Sequence, residues 1–219
     1  KYETIIPGVD LGEKLKEIES YKKRVDYGYL TKEIETLLNG IEDGAKRTAE
    51  IVSGLKNFSR LDESDIKEAN INEGIESTLI IIRSSIPRNV EVITNLGELP
   101  FIECYPGKLN QVFMNVLSNA IYAMSKKDAN SKNTIKITTY YKDKRVYAIF
   151  EDTGVGMTRE VREKIFEPFF TTKDVGEGTG LGMSIVFKII ESHHAKIEVD
   201  SEPGKGTTVT IILKERISG

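Results

Sequence analysis

The chain has 219 residues, of which 31 are Lys or Arg and 34 are Asp or Glu, so its formal net charge is −3. With 39% hydrophobic and 30% charged residues, the sequence can build a core in one large or two modest domains, which excludes the disordered class for most of it. A polyanion-binding protein normally carries a basic surplus, so this balance argues against nucleic acid as a partner.

The cysteine and hydropathy patterns are typical of a protein in a reducing compartment. Cys104 is the single cysteine, lies in a short apolar run, and is predicted to be a small buried thiol rather than a reactive one. No apolar stretch approaches the roughly 20 residues that span a bilayer. The N-terminus has no signal-peptide pattern and no initiator Met. We therefore expect the middle of a longer protein, attached to a membrane only through segments upstream.

The first predicted element is helical and covers residues 11 to 59. Apolar or small residues recur there in alternating steps of four and three, which is the heptad pattern of helices that pack on one another. The longer series is Leu30, Ile34, Leu37, Ile41, Gly44, Thr48, Ile51, Leu55 and Phe58, and a shorter series precedes it at Leu11, Leu15, Ile18, Tyr21 and Val25. Because both stripes are narrow and flanked by charge, each is expected to pack on the other, on an upstream helix or on a second copy. A plain coiled-coil spacer is the alternative for this segment alone.

A polar linker over residues 61 to 65 separates this segment from a region in which strands and helices mix. The predicted elements are a strand over Ile66–Ile71, a helix from N-cap Asn72 towards Arg83, a strand over Val90–Ile93, a helix from Pro106 to about Met124, strands over Ile135–Tyr141 and Val146–Glu151, a short helix from cap Thr158 to Ile165, a helix over Leu181–Ser192, and strands over Lys196–Asp200 and Thr207–Leu213. Since strands and helices do not alternate regularly, we predict an α/β sandwich with helices on one face of the sheet.

A pair of asparagines forms the first cluster with a chemical signal. Asn115 and Asn119 are four residues apart and share one face of a predicted helix. Asn is a mediocre helix former and is rarely buried without a function. Carboxamide oxygens suit Mg²⁺, which keeps several waters and shares ligands with phosphates. A hydrogen-bonded structural pair is the alternative.

The second cluster is Asp152-Thr153-Gly154-Val155-Gly156, directly after a predicted strand. A carboxylate at that point can accept a hydrogen bond from an amino group such as that of adenine, and the two glycines let a flat ring approach the backbone. An ordinary Asp-x-Gly turn is an equally weighted alternative for this cluster alone.

The third cluster has four glycines at alternate positions, Gly176, Gly178, Gly180 and Gly182, where a predicted helix opens. Bare backbone amides at a helix N-terminus form a cradle for phosphate. The cluster is not a Walker A loop, because no Gly-Lys-Ser/Thr ends it, and not a dinucleotide fingerprint, because Leu181 stands at the third glycine's position. A merely flexible loop is the alternative, although flexibility needs no strict alternation.

Together the three clusters resemble the GHKL ATP-binding superfamily, and more closely the catalytic domain of two-component sensor histidine kinases. The resemblance spans about residues 67 to 214 and includes Phe166-Glu167-Pro168-Phe169-Phe170-Thr171-Thr172-Lys173, which is similar to the kinases' phenylalanine box, and Gly204-Lys205-Gly206-Thr207-Thr208. It implies an α+β protein, with a helical hairpin of a dimeric four-helix bundle in residues 1–62 and a mixed-sheet α/β sandwich that binds ATP in residues 66–216.

The resemblance also implies roles for single residues. Asn119 is the expected Mg²⁺ ligand with Asn115 beside it, and Asp152 is expected to hold the adenine amino group with help from Thr207. The other expected nucleotide-binding positions are Gly154 and Gly156 under the base, Gly176, Gly178, Thr179, Gly180, Leu181 and Gly182 around the phosphates, and Thr171, Thr172 and Lys173 in a mobile lid. Lys173 could reach the terminal phosphate, with a solvated surface Lys as the alternative, and Phe169 and Phe170 are expected to pack at the base of the lid. Tyr122 departs from the family, which often has a charged or polar residue near the phosphates.

The implied function is transfer of the γ-phosphate of Mg-ATP to a histidine on the hairpin, followed by relay to an Asp of a response-regulator receiver domain. The kinase core is expected to be a cytoplasmic homodimer. The acceptor is expected upstream of Lys1, because His193 and His194, the only histidines, lie in the nucleotide domain at a negative helix end that suits imidazoles. A nucleotide-gated interaction module without phosphotransfer is one alternative. A serine kinase of the anti-sigma type ranks lower, since that type lacks a heptad hairpin.

Overall fold

The computed structural model describes residues 11–58, 65–128, 131–174 and 178–217. It divides into two compact units, residues 1–50 and 51–219, with the boundary inside a long helix. None of the helices in these ranges combines the length and hydropathy that a membrane crossing requires.

The first unit is helical. Helix α1 (Leu11–Arg24) and helix α2 (Tyr27–Phe58) are separated at Asp26, whose φ of 46° is outside the helical range. The Asp26 carboxylate accepts a hydrogen bond from the backbone N–H of Tyr29 at 3.4 Å and so caps the new helix. This break explains why the sequence shows two apolar stripes rather than one.

The apolar stripe of α2 faces solvent in its first half. Its members Leu30, Ile34, Leu37 and Ile41 are between 45% and 68% exposed. A row of exposed large apolar side chains at heptad spacing is the pattern of a helix that packs on further helices. The helical hairpin predicted from the sequence is thus present in part, as one long helix and a shorter one before it.

The second unit is an α/β sandwich, as predicted. Its main sheet has five strands in the order β2 (Val90–Leu96), β4 (Asn133–Lys142), β5 (Arg145–Asp152), β7 (Gly206–Lys214) and β6 (Lys196–Glu202). The pair β2–β4 is parallel and the other three pairs are antiparallel, so the sheet is mixed. A separate two-stranded ribbon pairs β1 (Lys67–Ala69) with β3 (Ile102–Cys104).

The helices cover one face of this sheet. They are α3 (Ile71–Ile82), α4 (Pro106–Ser125), the short α5 (Arg159–Lys164) and α6 (Gly182–Ser192). The core lies between the sheet and α3, α4 and α6, where Phe113 of α4 packs on Phe150 of β5 with ring centroids 5.7 Å apart. Cys104 belongs to this core, which confirms the predicted buried thiol, and burial raises the pKa of the thiol to about 12.

The start of α3 differs from its prediction. Asn70, not Asn72, is the N-cap, because the Asn70 side chain accepts a hydrogen bond from the backbone N–H of Asn72 at 3.0 Å. The preceding strand therefore ends at Ala69, and Ile71 is buried in the helix rather than in the strand. The Asn72 side chain instead donates to the carbonyl of Gly97 and accepts from the hydroxyl of Thr139, so it ties α3 to the sheet.

His193, at the end of α6, is neutral rather than a cation at a negative helix end. Its buried ring donates from Nδ1 to the carbonyl of Ile189 at 2.7 Å and accepts at Nε2 from the backbone N–H of Tyr105 at 3.0 Å. Because Nε2 accepts, it carries no proton. Burial lowers the pKa of His193 below its ordinary 6.5, and Lys108 adds to this shift.

We predict that His193 makes the fold acid-sensitive. As the pH falls through 6.5, His193 takes up a proton in the unfolded chain but not in the folded one. The contribution of neutral His193 to the free energy of unfolding is therefore fully present above this pH and is lost as the pH falls further. Thermal unfolding followed between pH 8 and pH 5 should show a smaller acid-side loss in His193→Gln, which keeps an acceptor for Tyr105 but does not titrate. His194→Gln is the matched control, because His194 is exposed, and it should keep the wild-type slope. Equal slopes in both variants would contradict the assignment.

Candidate functional site

A cavity of about 420 Å³ lies where α4, the C-terminal end of β5, the start of β7 and the segment before α6 meet. Thirteen of the sixteen sequence-predicted site residues line it: Asn115, Asn119, Tyr122, Asp152, Gly156, Thr171, Thr172, Lys173, Gly178, Thr179, Gly180, Gly182 and Thr207. Two others, Gly154 and Leu181, do not line it, and Gly176 lies outside the described residues. Groups far apart in sequence therefore share one cavity.

Helix α4 brings the two asparagines to the wall of the cavity. Pro106 occupies the first turn, where its missing N–H costs nothing, and the core side chains Val112 and Leu117 fix the helix by its buried face. Asn115 and Asn119, half-buried, lie on the other side. The Asn119 carboxamide oxygen accepts a hydrogen bond from the Lys173 ammonium at 3.2 Å, so this oxygen already faces a cation.

The carboxamide oxygens of Asn115 and Asn119 suit a Mg²⁺ ion whose other ligands are phosphate oxygens and waters, and not a metal site built from protein ligands alone. Within the described ranges, no group of three or more His, Cys, Asp or Glu could hold a metal ion. Amide oxygens together with phosphate oxygens and waters are the ligands that Mg²⁺ accepts. The Asn119 oxygen with a cation beside it is such a donor.

Asp152 ends β5 with its carboxylate turned into the cavity wall. Its Oδ1 accepts the backbone N–H of Gly154 at 2.8 Å, and β5 pairs with β7 so that Asp152 is opposite Thr207. Burial raises the pKa of the Asp152 carboxyl above its ordinary 3.8, while hydrogen bonds from the backbone of Gly154 and Thr207 and the charge of Lys127 partly oppose this. A half-buried carboxylate with such a pKa shift, lining a cavity, is a candidate functional group.

Gly154 and Gly156 act differently from each other. Gly154 lies behind Asp152, where an added Cβ would be 2.6 Å from the Cβ of Ala123, so it supports the carboxylate rather than the cavity floor. Gly156 lines the cavity with a φ of 65°, and an added Cβ would overlap the carbonyl oxygen of Glu202. Only a glycine fits at Gly156, because both its conformation and the close backbone exclude a side chain.

Thr207 is oriented by Ser201, a residue that the sequence analysis missed. Ser201 Oγ donates to the carbonyl of Gly206 at 2.9 Å, accepts from the backbone N–H of Met157 at 2.9 Å and lies 2.9 Å from Thr207 Oγ1. Because the single Ser201 proton is used by Gly206, Thr207 donates in the Ser–Thr contact. The Thr207 oxygen thus presents acceptor lone pairs beside Asp152.

The apolar wall of the cavity was also missed. It is formed by side chains from seven elements and two loops: Ala123, Ile135, Phe150, Val155, Met157, Val161, Ile165, Phe170, Met183, Val199 and Val209. A flat apolar wall beside a few convergent polar groups is typical of small-molecule sites. In sequence such residues are indistinguishable from ordinary core positions, since the same periodicity serves both.

The glycine-rich segment enters α6 at Gly182, where the first backbone amides of the helix are without intrahelical partners. Leu181 is the N-cap and does not line the cavity. Gly180 has a φ of 68°, and an added Cβ would overlap the carbonyl group of Phe169. The backbones of Phe169 and Gly180 therefore lie against each other.

The phenylalanines before this segment do not behave alike. Phe169 has a φ of 67° and is 75% exposed, so its side chain is not packed at the base of the lid as predicted. Phe170 lines the cavity instead.

Comparisons with known proteins show the family to which the chain belongs. The family model described as "Histidine kinase-, DNA gyrase B-, and HSP90-like ATPase" matches residues 104–217, which is just over half of the chain. The chain therefore belongs to this ATPase family, and its catalytic domain is of the GHKL type found in sensor histidine kinases.

Three relatives define the similarity further. The signal transduction histidine-protein kinase AtoS of Escherichia coli is 36% identical over 74% of this chain and 26% of its own length. The sensor kinase CckA of Brucella abortus is 35% identical over 81% of this chain and 20% of its own length. The nucleotide-free catalytic domain of the histidine kinase ThkA superposes with a TM-score of 0.61 at 29% identity, covering 70% of this chain and 97% of that domain. The chain thus spans about a quarter or less of these two curated relatives.

We predict that Asp152→Asn separates binding from folding. The amide oxygen can keep the Gly154 and Thr207 bonds, but its NH₂ group then faces the cavity, where it cannot accept from an amino group. The unpaired donor is expected to weaken adenine-nucleotide binding by about tenfold or more. Removal of a desolvated charge should leave the melting temperature unchanged or raise it.

Titration of a fluorescent ATP analogue and a thermal melt measure both effects. Asp200→Asn is the matched control, because the Asp200 side chain is 88% exposed and pairs with Arg162 outside the cavity. Undiminished binding by Asp152→Asn would overturn the assignment of the acceptor.

We also predict that Gly180→Ala weakens nucleotide binding while Gly204→Ala does not. Both positions have positive φ, so each alanine should cost about 1–2 kcal/mol of stability. Only the Cβ at position 180 overlaps another segment, whereas nothing lies within 4 Å of a Cβ at position 204. The same titration and melt compare them, and equal loss of binding in both variants would show that the backbone contact with Phe169 is irrelevant to the site.

Proposed function

We propose that the chain is part of a sensor histidine kinase and that its second unit binds Mg-ATP and donates the γ-phosphoryl group to a histidine of the dimerisation helices. The observation that carries this proposal is the arrangement of one cavity. It is lined by a half-buried carboxylate at the end of β5, by the glycines before a helix N-terminus, and by two carboxamide side chains of α4.

At the base end, we propose that Asp152 accepts from the adenine amino group while Thr207 presents its oxygen beside it. The apolar wall of Ile135, Met157 and Val209 matches the faces of a purine. Gly156 has no side chain, so the ring can lie against the backbone there. The half-buried carboxylate of Asp152 then selects adenine, because a base without an amino group at this position would leave the carboxylate without a hydrogen-bond donor.

At the phosphate end, we propose that Gly178, Gly180 and Gly182 bind phosphate oxygens through backbone N–H groups at the start of α6. Asn119, with Asn115 one helical turn away, would hold Mg²⁺, which neutralises charge on the phosphates and fixes their orientation. The Lys173 ammonium lies 3.2 Å from the Asn119 oxygen, and we propose it as a cation that reaches a terminal phosphate there. Thr171 and Thr172 flank it on the same wall.

In the transfer step, the bond between the γ-phosphorus and the β–γ bridging oxygen breaks and a phosphorus–nitrogen bond forms at the acceptor imidazole. The imidazole loses its proton and ADP leaves. The protein contributes mainly position and charge neutralisation in such reactions. The phosphoryl group then passes to an Asp of a response-regulator receiver domain, which regenerates the imidazole.

The acceptor is proposed to lie in the dimerisation region, outside this chain. His193 is unsuited, because its ring is buried and both of its nitrogens are engaged. We propose residues 1–62 as part of that region and residues 66–216 as the catalytic domain. The exposed heptad stripe of α2 supports a homodimer formed through helices.

The proposal predicts a specific phosphoryl linkage. A form of the protein that includes the proposed acceptor helix, incubated with γ-³²P-ATP and Mg²⁺, should acquire label that is lost in acid and retained in base, as a phosphohistidine is. The Asp152→Asn form should acquire about tenfold less or none, since it does not hold the nucleotide. Nucleotide binding without any label would contradict phosphotransfer and favour a nucleotide-gated interaction module. Acid-stable label would instead indicate a serine kinase.

A further inference from the structure

The ring of Tyr122 lies beside the cation that faces the cavity. Tyr122 and Asn119 are three positions apart on α4 and therefore share a face of the helix. The Lys173 ammonium is 4.4 Å from the centroid of the Tyr122 ring and 3.2 Å from the carboxamide oxygen of Asn119. One lysine thus contacts two neighbouring side chains of α4, and the aromatic one lies within cation–π distance.

The residue next to Lys173 is tied to the same place. Asp174 forms an ion pair with Lys126 at 3.1 Å, and the Lys126 ammonium is 5.0 Å from the Tyr122 centroid. With side chains 41% and 78% exposed, this ion pair contributes little by itself. The ring is the element that Lys126 and Lys173 have in common, so the base of the lid converges on Tyr122.

The stem of Lys173 is confined from the opposite side by Gly178. A Cβ added to Gly178 would be 2.8 Å from Cδ of Lys173 and 2.9 Å from Oγ1 of Thr171. Thr171 Oγ1 in turn accepts the backbone N–H of Lys173 at 3.1 Å. The backbone, the stem and the ammonium of Lys173 are therefore each held by a different contact. Such contacts are needed because ordering a long, flexible lysine side chain has a high entropic cost.

We propose that Tyr122 is a positioning residue for Lys173: its ring holds the ammonium beside Asn119 before nucleotide binds, so that the lysine meets the terminal phosphate already ordered. This inference rests on the proposed function and deepens it. In this proposal Tyr122 does not bind the phosphates directly, because its ring is neutral and already contacts the ammonium groups of Lys126 and Lys173. It also gives Lys173 a purpose that depends on the γ-phosphate and not on the base.

The first test needs no nucleotide. Protein labelled with ¹³C at the lysine ε-carbon should show one Lys173 methylene, assigned by its absence in Lys173→Arg, displaced upfield by the Tyr122 ring current. The displacement should vanish in Tyr122→Leu and persist in Tyr122→Phe, which keeps the ring. An undisplaced signal in the wild-type protein, or the same displacement in Tyr122→Leu, would overturn the inference whether or not ATP proves to be the ligand.

The second test compares ATP with ADP at saturating Mg²⁺. Loss of one half-exposed cation–π contact is expected to weaken ATP binding about two- to fivefold in Tyr122→Leu, with ADP affinity unchanged and with wild-type values in Tyr122→Phe. In a Lys173→Met background, Tyr122→Leu should have no further effect, since both changes remove the same contact. Equal weakening of ATP and ADP, or an additive double variant, would show that Tyr122 acts on the pocket as a whole. Failure of the wild-type protein to bind either nucleotide would refute the proposed function, and the resonance test would then decide on Tyr122 alone.

Discussion

The desolvated carboxylate of Asp152 is the constraint around which the catalytic domain is arranged. Desolvation raises the pKa of this carboxyl, and hydrogen bonds from the backbone amides of Gly154 and Thr207 and the charge of Lys127 oppose that shift. Glycines surround Asp152 where the backbone segments approach most closely. A Cβ on Gly206 would overlap the carbonyl oxygen of Asp152. The end of β5, the start of β7 and the turn after β5 therefore approach one another closely at Gly206.

Helix α4 connects that constraint to the rest of the domain. One face of the helix is buried against the sheet through residues such as Phe113, so the positions of Asn115 and Asn119 on another face are fixed by the core. The phosphate segment enters from the opposite side at Gly182, where an added Cβ would be 3.4 Å from the Asn115 side-chain oxygen. Rigid elements therefore form the ends of the cavity to which we assign the base and the metal, and a glycine-rich segment lies at the end to which we assign the phosphates.

Most of the elements follow from local sequence rules, and the differences have physical causes. Pro106 and Thr158 were predicted correctly as helix starts, because the first turn of a helix has specific requirements. Asn70 and Asn72 are both good caps, and only the tertiary bonds of Asn72 to Gly97 and Thr139 decide between them. The short strand β3 was not predicted, since three residues carry too little periodicity. In the site, polar residues at special spacings were found from sequence, whereas Ser201 was not, because its function arises only from the pairing of β6 with β7.

The central claim is that the side-chain amides of α4, the carboxylate of Asp152 and the backbone N–H groups of the glycine-rich segment bind one nucleotide together. Amide chemical shifts recorded while Mg-ATP is titrated into the protein test it most directly. The account predicts that signals of Asn119, Asp152, Gly156 and Gly180 move together and follow a single saturation curve. Signals that stay unmoved, or that follow separate curves with different midpoints, would contradict it.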